Sequence, residues 1–472
     1  EIWKNASSVN PWSYTSAFSF SDGANYLITS RATDNASNLE SPGINDGNTF
    51  TYDLTAPISV VTIPTDQENT NSLTTISGTS SSDTSLVKVS VKNTYSNEYW
   101  TGSNWNDALI EDTSWRDASG QASWTYGGVS WSNAAYRVKT KATDIAGTPE
   151  TPGAGISFIY DVIKPTATIV LPTNNAKLKT LTQLTGTAID NTGGSNLYSV
   201  RLIIKNTTTT EWLDSGEVWQ ASYRDVAISG SSATWYRNTV GNPWTSGNEY
   251  LITAFSKDNA TNQETPGAIS SFLYDNTVPS SVVVLPANAG TYNSLVTISG
   301  TSSDNPSGTN AGVLNVKVSI KNDTDTTYWN SSTWGTTEIW INASGTTSWT
   351  FTSPAWISPK NYLVKSKALD NANNEETSGV GNSFTYDTTA PSSAITYPGD
   401  GVTINSLLKL SGTANDPTPG SGIGQVKLSI KNNNNTTFWN GSTWSSNEVY
   451  NDASGTTIWT YDNPGWISGN TY

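Results

Sequence analysis

Val316-Lys317-Val318-Ser319-Ile320-Lys321 alternates apolar and polar side chains without a break. Successive side chains of a strand point to opposite faces, so a period of two puts one face in a core and the other in water. Related runs stand at Val89-Ser90-Val91-Lys92, Leu202-Ile203-Ile204-Lys205 and Val426-Lys427-Leu428-Ser429-Ile430-Lys431. Around the first of these, residues 282–285, 295–300, 314–321, 348–351, 362–369 and 383–386 are short and rich in β-branched or aromatic side chains. Gly, Asn, Pro and Ser clusters separate them, and the segment reads as six strands. No helical period of useful length occurs, and the expected class is all-β.

The pattern is repeated along the chain. Tyr-Asp, three residues, then proline occurs at Tyr52-Asp53 before Pro57, Tyr160-Asp161 before Pro165, Tyr274-Asp275 before Pro279 and Tyr386-Asp387 before Pro391. The four aspartates lie 108, 114 and 112 residues apart, too long a period for a solenoid and right for a self-contained domain. The division predicted is a partial repeat at 1–53, whole repeats at 54–161, 162–275 and 276–387, and a second partial repeat at 388–472. Glu1-Ile2-Trp3 matches Glu338-Ile339-Trp340, and Tyr472 matches Tyr26, Tyr136, Tyr250 and Tyr362, so both ends are expected to cut through a domain. Almost no linker separates the repeats. Proline restrains its own φ and the residue before it, so stiff junctions and an extended rod are expected. Each repeat should add on the order of 40 Å of length.

Composition narrows the chemistry. Cysteine, methionine and histidine are absent, which removes disulfides, thiolate nucleophiles, zinc–thiolate sites and the Ser-His-Asp arrangement. Each repeat must therefore be held by its own apolar core, for which about 110 residues suffice. Against 24 basic residues stand 39 acidic ones, and the net charge of −15 argues against nucleic acid as a partner. No apolar run reaches the length of a membrane span. Abundant Asn, Ser, Thr and Gly with only 13% charged residues fits an extracellular protein, at a cell surface or in a secreted filament.

Further motifs carry a resemblance. Tyr362, Val364, Ser366 and Ala368 share one strand face, as do Tyr26, Ile28, Ser30 and Ala32; a tyrosine opening the penultimate strand is similar to the tyrosine corner of immunoglobulin-like sandwiches. Asp-x-Thr-x-Pro begins a repeat, Ser299-Gly300-Thr301 and Ser411-Gly412-Thr413 end a second strand, and Asp-x-Ala-x-Asn turns occupy 34–38 and 258–262. Through these the whole chain resembles the bacterial immunoglobulin-like (Big) tandem repeats of large surface adhesins. The resemblance implies tandem immunoglobulin-like β-sandwiches and specifies the ligand poorly. The long Trp-rich stretch before Trp349 departs from the usual strand plan.

Four acidic positions recur: a linker Asp, an Asp after the Gly-Thr strand, and an Asp and a Glu in the turn after the tyrosine strand. In a seven-strand sandwich these loops meet the arriving linker at one end. Asp53, Asp83, Asp144 and Glu150 are thus expected to gather at one junction, Asp161, Asp190, Asp258 and Glu264 at the next, and Asp275, Asp304, Asp370 and Glu376 at the third. Converging carboxylates repel unless protonated or bridged, and a hard cation with oxygen ligands, calcium, is the candidate bridge. The alternative is that these side chains only cap tight turns.

Tryptophans recur in pairs at Trp100 and Trp105, Trp329 and Trp334, and Trp439 and Trp444, each spanning an Asn/Gly/Ser turn suited to a hairpin, with Trp212 and Trp219 a looser version. Paired indoles would stack on sugar rings and make a multivalent carbohydrate-binding array, or they would cover the sandwich edge. Near-copies of every feature in every repeat disfavour a unique catalytic pair. The function expected is non-enzymatic and structural: a stiff stalk or filament segment on a bacterial surface, adhesive or matrix-forming. Its expected partners are copies of itself, neighbouring repeats of a longer chain, or surface glycans.

Overall fold

The computed structural model describes residues 3–7, 11–15, 17–43, 46–230, 233–305 and 309–472. Among them the regular structure is all strand, apart from one 3₁₀ turn at Glu111–Thr113. No helix there is long and apolar enough to cross a membrane.

In the alternating run, Val316, Val318 and Ile320 are fully buried while Lys317 and Lys321 face outward. This strand, Val313–Asn322, pairs antiparallel with Lys360–Asp370, which pairs with Asn382–Tyr386. A short strand that the sequence pattern does not reveal, Gly290–Tyr292, adds parallel to the last of these. The opposing sheet has three strands, Ser280–Leu285, Thr297–Ser303 and Ser348–Thr352. Between the sheets lie Ile298, Trp349, Tyr362, Val364, Ala368 and Phe384 beside the valines, a sandwich core assembled from alternate residues of both layers.

The Trp-rich stretch accounts for the departure from the usual plan. Thr327–Trp329 and Trp334–Gly335 form a hairpin on the edge of the larger sheet, and Ile341–Asn342 pairs back onto Val313–Asn322. The larger sheet thereby reaches seven strands. Corresponding sheets recur within residues 59–160 and 166–274, each with its own core. Residues 392–462 form a related three-stranded sheet with two small ladders beside it, and Ala24–Ile28 pairs with Asn48–Tyr52. Among the described residues no sheet takes strands from two repeats.

Two local devices explain recurrent motifs. The glycine of Ser299-Gly300-Thr301 lies under Trp349, and a Cβ there would come within 2.2 Å of the indole and 2.1 Å of the Val282 carbonyl oxygen. Gly78 with Trp124, Gly186 with Trp235 and Gly412 with Trp459 repeat this close packing. The opening tyrosine ties its hydroxyl to the chain just upstream: Tyr362 accepts from the Ile357 amide at 2.9 Å and donates to its carbonyl at 3.0 Å. Tyr136 does the same with Ser132.

Candidate metal centres at the repeat junctions

Asp161, Asp275 and Asp387 in the linkers each belong to two repeats at once. The amide completes the preceding one: Asp161 donates to the Thr70 carbonyl at 2.9 Å, Asp275 to Leu178 at 2.8 Å and Asp387 to Tyr292 at 2.8 Å. The carboxylate reaches into the next, where Asp161 Oδ2 accepts from the Ser195 amide at 2.8 Å and Asp275 Oδ2 from the Ala311 amide at 2.7 Å. In the turn after the tyrosine strand, Asn262 donates from Nδ2 to the Asp161 carbonyl at 2.8 Å, and Asn374 to that of Asp275 at 2.9 Å. Longer side chains also cross the seams. Asn71 donates to Asn262 Oδ1 at 3.1 Å, Lys177 to the Ala311 carbonyl at 2.6 Å and Lys179 to the Asn373 carbonyl at 2.5 Å.

Three aspartates converge at each of three junctions: Asp53, Asp83 and Asp144; Asp161, Asp190 and Asp258; Asp275, Asp304 and Asp370. In each set one carboxylate oxygen per residue lies within 4.8 Å of the others. Asp144, Asp161, Asp258, Asp275 and Asp370 are at most 1% exposed, and no lysine or arginine pairs with any of the nine among the described residues. Burial first, then the charges of Asp161 and Asp258, pushes the Asp190 carboxyl above its ordinary value of 3.8. Burial likewise raises Asp258 and Asp304, with Asp161 adding to the first and Asp275 and Asp370 to the second. Both oxygens of Asp190 and Oδ2 of Asp144 are buried with no partner in hydrogen-bonding geometry. Buried anions crowded together without a basic partner, and at Asp144 and Asp190 short of donors as well, are what a hard cation with oxygen ligands would satisfy, so these residues fit such an ion.

The glutamates expected to join them do other work and fall outside these groups. Glu150 accepts from the Ser59 amide at 3.0 Å and the Ala142 amide at 2.8 Å. Glu264 takes the Ala167 and Ser256 amides, and Glu376 the Ser281 and Ala368 amides. Each clips the first strand of one sheet to the tyrosine strand of the other. Sequence spacing cannot separate this role, because Asp and Glu of one turn sit on the same loop with different reach. At the fourth linker Asp387 and Asp416 are present, Asp387 held low by the Ser421 and Thr389 amides.

The tryptophan pairs form hairpins, with Trp100 opposite Trp105, Trp329 opposite Trp334 and Trp439 opposite Trp444. Their ring centroids are 5.3, 5.5 and 5.5 Å apart. They pack on the cores rather than standing free: Trp100 is 2% exposed, and the other five are half-buried against core residues. This corrects the expectation of a sugar platform at Trp100, whose ring faces are already covered by protein. Trp212 is corrected too, since Leu213 is the residue opposite Trp219. Trp212 instead lies beneath the ammonium of Lys205, with 5.1 Å from nitrogen to ring centroid.

The chain is thus a tandem array of immunoglobulin-like β-sandwiches with acidic seams. No family model and no curated protein matches it. Among solved structures it is similar to a tetra-tandem repeat in the extending region of a large adhesion protein, at 15% identity and a TM-score of 0.29 over 86% of this chain and 90% of that one. It is also similar to fibronectin(III)-like modules of Clostridium thermocellum CbhA, at 17% identity and a TM-score of 0.23 over 46% of this chain and 94% of that one. The FN1–FN3 domains of chicken CNTN1 give 12%, 0.23, 70% and 97% for the same quantities. The fold stands on this chain's own sheets and cores.

Proposed function

We propose that the chain is a non-enzymatic structural segment of an extracellular bacterial surface protein, a stiff stalk or filament element with an adhesive or matrix-forming role, whose seams are bridged by calcium. The observation that carries this reading is the convergence of three aspartates from both sides of each of three junctions, within 4.8 Å and without a basic partner among the described residues. Asp53, Asp83 and Asp144, then Asp161, Asp190 and Asp258, then Asp275, Asp304 and Asp370 would hold the ions. A bound divalent cation supplies charge neutralisation. The linker Asp, with its amide in one sandwich and its carboxylate in the next, converts that into a fixed angle between repeats. Acidic groups of the same kind recur at three junctions, which supports a mechanical role over a single reaction centre.

Calorimetric titration of the chelator-stripped chain with calcium, combined with small-angle X-ray scattering, tests this. Saturable binding, a higher melting temperature and a longer, narrower scattering profile are the expected results. With calcium at a hundred times its dissociation constant, each occupied site adds about 2.7 kcal/mol to stability. Absence of binding, or an unchanged profile with and without chelator, would overturn the reading.

A further inference from the structure

The three seams are not equally supplied with hydrogen-bond donors, and the third stands apart from the other two. At the third, all six carboxylate oxygens of Asp275, Asp304 and Asp370 accept a hydrogen bond, chiefly from the amides of Thr277, Ala311, Asn305, Gly312 and Asn374 and the side chain of Asn374. At the second, four of six accept and both oxygens of Asp190 do not. At the first, only Asp53 Oδ1, from the Thr55 amide, and Asp144 Oδ1, from the Thr148 amide, accept among the described residues. Of the remaining four oxygens only Oδ2 of Asp144 is buried without a partner, on a residue 1% exposed.

Two sequence differences set the first seam apart from the third. In the first repeat the strand Thr84–Asn93 starts directly after Asp83, so no loop reaches over to offer an amide to the linker carboxylate. In the later repeats the strands begin at Leu197 and Val313, and the longer loops after Asp190 and Asp304 supply the Ser195 and Ala311 amides. The first repeat also has Thr148 where the others have Asn262 and Asn374, whose Nδ2 groups satisfy Oδ2 of Asp258 and Asp370. A buried carboxylate without donors needs a cation to remain charged, whereas one held by amides is already compensated.

We infer that the seams depend on calcium to unequal degrees, so that its withdrawal loosens the junctions at Asp53 and Asp161 before the one at Asp275. This rests on the ion-bridged reading above. The array is then a graded device: falling calcium frees one joint while leaving another stiff. Hydrogen exchange of the whole chain, with calcium and with EDTA, reads each linker separately. Chelation should speed exchange about tenfold or more at residues 53–58 and 161–166 and hardly at 275–280, since an uncompensated buried polar group costs about a decade or more in local stability. Equal responses, or the greatest response at the third seam, would defeat the ranking while leaving calcium binding intact. No response anywhere, with no calorimetric binding, would defeat both. Thr148→Asn supplies the missing amide and should shrink the response at the first seam, and Asn374→Thr should enlarge it at the third. An unchanged response in Thr148→Asn counts against the inference.

Discussion

At the scale of single residues, the repeats are pinned by contacts that tolerate no substitution by a residue of similar character. Gly300 is required by its neighbour: Trp349 is 1% exposed and lies where any Cβ on residue 300 would go. Gly300→Ala should therefore destabilise its repeat by about 1–3 kcal/mol through overpacking. Trp349→Ala should cost about 3–5 kcal/mol by emptying the core, and chemical denaturation of the two variants measures both. Glu376 is read differently once its partners are known. Its oxygens hold amides from two sheets at 2.9 Å each, so Glu376→Ala should cost about 1–3 kcal/mol by orphaning buried donors, with calcium binding unchanged. Loss of calcium binding in that variant would return the glutamate to the ion site. The motif Ser-Gly-Thr was visible in the sequence, but the indole that explains it lies on a strand some fifty residues later.

At the scale of elements, β-branched and aromatic runs bounded by turn residues located six strands of the repeat at 276–387, and strict alternation at 316–321 showed which face of that strand is buried. Edge elements escaped. Gly290–Tyr292 is three residues long and carries too little sequence to show a period; its place is set by parallel pairing with Asn382–Tyr386. The tryptophan hairpins were legible as hairpins from their turn residues, but not which way the rings face. Trp329 and Trp334 lie against the core, Trp334 with Tyr362 behind it, so Trp329→Ala and Trp334→Ala should each lower the melting temperature of the full chain by several degrees, an effect of about 2–4 kcal/mol. Glycan binding lost in these variants with the melting temperature unaltered would instead favour the sugar-stacking role.

At the scale of the whole molecule, behaviour should follow the seams and the pH at which their carboxylates charge. Asp190, Asp258 and Asp304 have values raised above 3.8, so folding favours their protonated forms. The stability they contribute is present at and below 3.8 and is lost as pH rises through the raised values. The contribution of these three groups in ion-free protein is thus larger at about pH 4 than at pH 7, and saturating calcium should reverse that order, because the cation favours the charged forms. Calorimetric melting at the two pH values, with calcium and with chelator, checks this; no difference between the two conditions would contradict it. The sequence alone determined the longer strands, the tandem organisation and which acidic positions recur, because strand patterning and repetition are written along the chain. Only the tertiary structure decided that three aspartates and not the glutamate meet at each seam, that the indoles turn inward, and that the seams differ in their donors. Those outcomes depend on side-chain reach and loop length across contacts between residues far apart in sequence, where a one-dimensional pattern carries no distance.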